Sequence, residues 1–82
     1  MKRRSALRPV EVTWHDCTTH EEWRDRGDAE TLRPVRCTTV GYLVKRSNRW
    51  VTLAGHNMPE DEQVGSVHTI PMKWVTTIRR LR

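Results

Sequence analysis

Between Val10 and His15 apolar and polar residues alternate without a break, with Val10, Val12 and Trp14 on one side and Glu11, Thr13 and His15 on the other. A period of two is that of a half-buried β-strand, and strand one is expected here. In the next stretch, "TTHEEWRDRG", the alternation stops. Thr19 and Glu22 stand three apart as a capping box and Gly27 supplies a C-terminal stop, so a helix of about two turns is expected, anchored to the sheet by Trp23. Asp28 to Pro34 reads as a loop with Leu32 as a plug.

Val35 to Lys45 reads as one long strand. Val40, Tyr42 and Val44 point one way and Cys37, Thr39 and Leu43 the other, while Gly41 sits where a strand can bend or bulge. Apolar residues on both faces suggest a strand buried twice or one crossing between sheets, and they also offer Val40, Tyr42 or Val44 to a partner. The residues "RSNR" supply a turn, and Trp50 to Ala54 returns as the partner strand. "GHNMPEDEQVG", Gly55 to Gly65, has the composition of an exposed loop. In "VHTIPMKWVTTIRRLR" Pro71 disfavours helix at Ile70, and the β-branched run from Val75 to Ile78 favours strand. Strand four therefore ends at Ile70, a tight turn covers Pro71 to Trp74, and strand five runs from Val75 to Leu81. The expected fold is mainly β: a small five-stranded bent sheet or partly open barrel, with one short helix after strand one.

Composition limits how large this object can be. The chain has 82 residues, 35% of them hydrophobic and none of them Phe, and a chain this short buries only about 60% of the surface that its unfolded form exposes. Residues 9–82 are expected to form one small domain after a basic flexible arm, residues 1–8. The net charge is +5, and it comes in blocks. Met1 to Arg8 holds no acid, Pro9 to Pro34 is acid-rich, Arg36 to Arg49 again holds none, and Glu60, Asp61 and Glu62 precede a basic C-terminus. Blocks of this kind predict one basic and one acidic face. "MKRRSALRPV" has no apolar signal-peptide core, and no run approaches a membrane span, so a cytoplasmic setting with reduced thiols and no membrane partner is expected.

The series "VTWHD", Trp23, "TVGYLV", Leu53-Ala54 and "IPMKWVTTIRRL" resembles a family of short, mostly uncharacterised proteins encoded by tailed phages and prophages. In that family W-x-D, V-G-[WY]-L-V, L/I-A and I-P-x-x-x-V-x-x-I-x-x-L follow in this order. The likeness spans Val10 to Leu81 and implies a host-cell cytoplasmic accessory protein. More distantly, the order of elements is similar to SH3-like and Sm-like barrels, whose last two strands are joined by one short turn. The hairpin tip here, Lys45, Arg46 and Arg49, is basic where many of the phage relatives are acidic, so a binding role does not carry over from them.

Chemistry-bearing residues are few. His15, Cys17, His20 and Cys37 offer nitrogen and sulfur ligands, but their spacing is not a standard zinc pattern. The simpler reading has the cysteines as small buried residues and the histidines facing solvent, with no metal and no cofactor. A Cys17–His20 nucleophile lacks an orienting group and an oxyanion hole, and no catalytic residue is assigned. Asp16 is read as an Asx-type cap on loop amides. His56 and His68 stand alone, and the glycines form no phosphate loop.

What remains is charge. Lys45, Arg46 and Arg49, together with the C-terminal Arg79, Arg80 and Arg82, form a candidate basic face for nucleic acid or a phosphorylated nucleotide, such as a host-defence signal. Trp50 is assigned to the core, with an aromatic platform for bases as the alternative. The competing function is protein interaction, either homo-oligomerisation through edge strands or binding of a host protein.

Overall fold

The alternation at the start of the chain extends further than its apolar residues do, and produces β1 over Arg8–Asp16. In this computed structural model, which describes residues 6–81, β1 is followed by α1 (Arg26–Ala29), β2 (Val35–Arg46), β3 (Trp50–Met58), β4 (Gln63–Pro71) and β5 (Val75–Arg80). Single 3-10 turns join the last three strands, Pro59–Asp61 between β3 and β4 and Met72–Trp74 between β4 and β5. The five strands form one antiparallel open sheet in the order β4-β3-β2-β1-β5. The expected mainly β fold with one short helix after strand one is the fold observed.

The core shows that this sheet is strongly curved. Val10 and Val12 of β1, Val51 and Leu53 of β3 and Ile70 of β4 form one buried cluster, against which Trp14, Leu43, Met72, Val75 and Ile78 pack. β4 and β5 are the two edges, and in a flat five-stranded sheet they would lie roughly 19 Å apart. Both nevertheless contribute to the same cluster and are joined by only three residues of 3-10 turn, which reach about 6 Å. Curvature is the only way to satisfy both facts.

Two features of β2 permit it. A Cβ on Gly41 would sit 2.9 Å from the backbone oxygen of Ala54, so only glycine allows β3 to approach this closely. Two residues later the register slips between Leu43 and Lys45, leaving Val44 as the extra residue of a bulge. The stacked rings of Trp14 and Trp74, 6.4 Å between centroids and 9° from parallel, tie β1 to the second 3-10 turn. The Trp14 indole Nε1 donates to the Thr39 hydroxyl at 2.9 Å, satisfying its polar edge.

Several expectations are corrected. The helix lies at Arg26–Ala29, not over Thr19 to Gly27, and Trp23 anchors nothing, because it is completely exposed. The capping box failed because this short segment has no apolar stripe to bury, and an isolated short helix is unstable in water. The expected loop Gly55 to Gly65 is mostly paired: β3 and β4 continue to Met58↔Gln63, and the reversal is confined to Pro59–Glu62, with Glu62 at φ 51°. β2 is not buried twice, since Val40 and Val44 are exposed on its outer face. Cys17 is exposed and Cys37 half-buried, both as free thiols. Of the expected arm, residues 1–8, the first five lie outside the described residues and Arg8 opens β1.

Candidate nucleic-acid interface

Antiparallel pairing decides which cations meet. Arg8 at the start of β1 lies opposite Leu43 near the end of β2, and Val10 lies opposite Arg80 at the end of β5. The β2–β3 hairpin turns over just beyond, so Arg8, Lys45, Arg46, Arg49 and Arg80 all belong to one end of the sheet. All five are exposed, and none forms an ion pair among the described residues. Arg8, the last residue of the expected arm, is the first of β1. Its place here is legible only from the register, because the start of one strand lies beside the end of its antiparallel neighbour.

The hairpin tip is held firmly. The Ser47 hydroxyl accepts from the backbone N–H of Arg49 at 3.1 Å and of Trp50 at 3.2 Å, and the Ser47 N–H donates to the Trp50 carbonyl at 3.0 Å. This is a serine-stabilised turn that needs no residue at positive φ. The Arg49 carbonyl in turn accepts from Met72 N–H at 2.9 Å, fastening the tip to the second 3-10 turn. The bound backbone gives Arg49 and Trp50 a fixed starting point, which lowers the entropy lost on binding.

Trp50 is not in the core. It is 44% exposed and pairs with Pro71, while its neighbour Val51 takes the buried position. The alternation of β3 sets this: a side chain one position earlier must face the opposite side of the sheet. An exposed indole therefore stands beside Lys45, Arg46 and Arg49.

Arg79 belongs elsewhere. It faces Glu11 across the β1–β5 pair, and its Nε and Nη2 donate to the two carboxylate oxygens at 3.3 and 3.2 Å. The predicted set Arg79, Arg80 and Arg82 thus divides: Arg79 is neutralised, Arg80 points to the other face, and Arg82 lies outside the described residues.

The remaining candidates do not assemble. The His15 ring contacts the Thr76 hydroxyl and the His20 ring contacts Arg24, each at 3.2 Å. No group of three or more His, Cys, Asp or Glu among the described residues is placed to hold a metal ion. The Asp16 carboxylate accepts from the Cys17 N–H at 2.9 Å, as expected of a cap. No helix among the described residues is long and apolar enough to cross a membrane. Comparison with family models, curated proteins and solved structures returns no match.

The acids are divided. Glu60, Asp61 and Glu62 lie at the β3–β4 turn, nine residues along β3 from the hairpin tip, roughly 30 Å along the strand. The segment 17–34 leaves the sheet where β1 ends and β2 begins, and its base is nearer the tip, because Trp14 stacks on Trp74 of the 3-10 turn whose Met72 is bonded to Arg49.

Proposed function

We propose that this chain is a non-enzymatic accessory protein that binds nucleic acid through its basic end, with Lys45, Arg46, Arg49, Arg80 and Arg8 on phosphates and Trp50 stacking on a base. The observation that carries this is the exposed hairpin tip, where Lys45, Arg46 and Arg49 stand beside a half-exposed indole with no ion-pair partner among the described residues, and where Arg8 and Arg80 lie on the adjoining strand ends. A row of guanidinium groups on strand ends and a hairpin tip suits a polymer, whose phosphates are spaced along a line. A phosphorylated nucleotide offers the same chemistry in a smaller form. The phage likeness and the host-cell cytoplasm it implies belong to this proposal.

The test is a titration of labelled single- and double-stranded oligonucleotides over a range of salt, beside calorimetry with a panel of linear and cyclic nucleotides. Affinity for the polymer is expected to fall steeply with salt and to vanish in Arg46→Glu/Arg49→Glu. Binding that ignores both changes would sink the reading. Tight, saturable binding of one nucleotide with weak polymer binding would move the assignment to the smaller ligand.

A further inference from the structure

Trp23 is 102% exposed, in the middle of a segment, 17–34, in which every residue except Thr18 is exposed. The segment's only helix is a single turn that buries nothing. Tryptophan is highly buried on average in folded proteins, and an excursion of this length without a core of its own is either a functional loop or a linker, of which a linker has no use for a bare indole. Glu22, Trp23, Arg24, Asp25 and Asp28 line an open concavity around the indole. Glu22 is shared with Arg24 at 3.4 Å, whereas Glu21, Asp25 and Asp28 have no ion-pair partner among the described residues. Whatever covers Trp23 must therefore offer cations around an apolar contact.

The β2–β3 hairpin tip of the same chain offers both. We infer that the Trp23 segment of one copy docks on the basic end of the next, placing its carboxylates against Arg46 and Arg49 and its indole beside Trp50. The two surfaces are different, so the contact is head-to-tail and builds a ring or a filament, not a two-fold dimer. An exposed tryptophan flanked by charge is the composition of an interface hot spot. The free chain also has surface to spare. It exposes 7309 Å², against about 5,100 Å² for a compact protein of its mass, and its radius of gyration is 16.8 Å against about 12 Å. The excess exceeds the roughly 1,600 Å² of a standard interface. This inference goes beyond the nucleic-acid reading, since it requires the Trp23 segment, which that reading does not use.

The experiment is sedimentation velocity on three proteins and one mixture. Wild type is expected to form species that grow with concentration and return to monomer when salt rises from about 0.05 to 0.5 M. Arg46→Glu/Arg49→Glu lacks the basic end, and Glu22→Gln/Trp23→Ala/Asp25→Asn lacks the Trp23 end, so each alone is monomeric. Mixed, they retain one native contact between them and form a one-to-one complex that grows no further. A wild type that stays monomeric at low salt, assembly that survives Arg46→Glu/Arg49→Glu, or a mixture that sediments as two monomers would each overturn the inference. Trp23→Ala alone, at a site that touches no core residue, is expected to weaken assembly at least tenfold and, by freeing Arg46, Arg49 and Trp50, to keep or strengthen oligonucleotide binding. Equal assembly by Trp23→Ala and wild type would overturn it as well. Loss of oligonucleotide binding in Arg46→Glu/Arg49→Glu is read separately and tests only the nucleic-acid proposal.

Discussion

Glu11 and Arg79 face each other across β1 and β5, and the guanidinium grips both carboxylate oxygens, Nε on Oε1 at 3.3 Å and Nη2 on Oε2 at 3.2 Å. The pair is exposed enough that it adds little to stability, at most about 1 kcal/mol, but it withdraws one cation from the charged end. Neighbouring arginines should therefore behave differently. Arg80→Ala is expected to lower the magnitude of the logarithmic salt slope for oligonucleotide binding by about one, and Arg79→Ala to leave it nearly unchanged. Glu11→Gln removes an acid and frees Arg79, so its affinity should rise. Fluorescence anisotropy across a salt series measures all three, and equal losses for Arg79→Ala and Arg80→Ala would show that the pair opens on binding.

Trp50 and Leu53 separate surface from core on one strand. Trp50→Ala should weaken single-strand binding by about 1–3 kcal/mol and barely move the thermal midpoint. Leu53→Ala, at a 1% exposed site in a core of very few residues, should cost about 2–5 kcal/mol of stability. Paired melting curves and binding isotherms are the check. A large loss of stability in Trp50→Ala would return that residue to the core.

Gly41 and Gly27 make a controlled comparison of backbone space. At Gly41 a new Cβ meets backbone, the Ala54 oxygen at 2.9 Å, which a side-chain rotation cannot relieve. Gly41→Ala should destabilise by about 1–3 kcal/mol. Nothing lies within 4 Å of a Cβ on Gly27, so Gly27→Ala in α1 should be neutral or stabilising by up to about 1 kcal/mol. Urea denaturation of both variants reads the difference directly.

The stacked pair Trp14 and Trp74 should be measurable as a pair. Trp74→Leu keeps an apolar side chain beside Trp14 and loses the ring contact, so a cost of about 0.5–1.5 kcal/mol beyond the lost area is expected. Thr39→Val removes the acceptor of the Trp14 N–H while keeping shape, and should cost about 1–3 kcal/mol for the unsatisfied donor. A double-mutant cycle between Trp14→Leu and Trp74→Leu gives the coupling, and a coupling of zero would mean that the rings only share solvent cover.

Local pattern made much of this protein legible. Alternation at Val10 to Trp14 and the β-branched run from Val75 to Ile78 name their strands, because a period of two fits only a pleated ribbon with one side buried. Pro71 and "RSNR" name their turns, since proline lacks an N–H and serine can bind nearby backbone. Where local signals failed, a longer-range pairing overruled them. Gly55 to Gly65 carries loop residues but is zipped between two strands, and Thr19 to Gly27 carries helix caps but nothing for a helix to pack on. The candidate site divides in the same way. Read along the chain, residue order already names the cations, their grouping in blocks, and the hairpin that Lys45, Arg46 and Arg49 share. Folding was needed to bring Arg8 and Arg80 to the strand ends beside them, to set Glu11 on Arg79, to turn Trp50 outward, and to carry Glu60, Asp61 and Glu62 to the other end of β3. The reason is register: strand pairing joins residues as far apart in the chain as Val10 and Arg80, and which ones meet depends on turns and bulges that no local window contains.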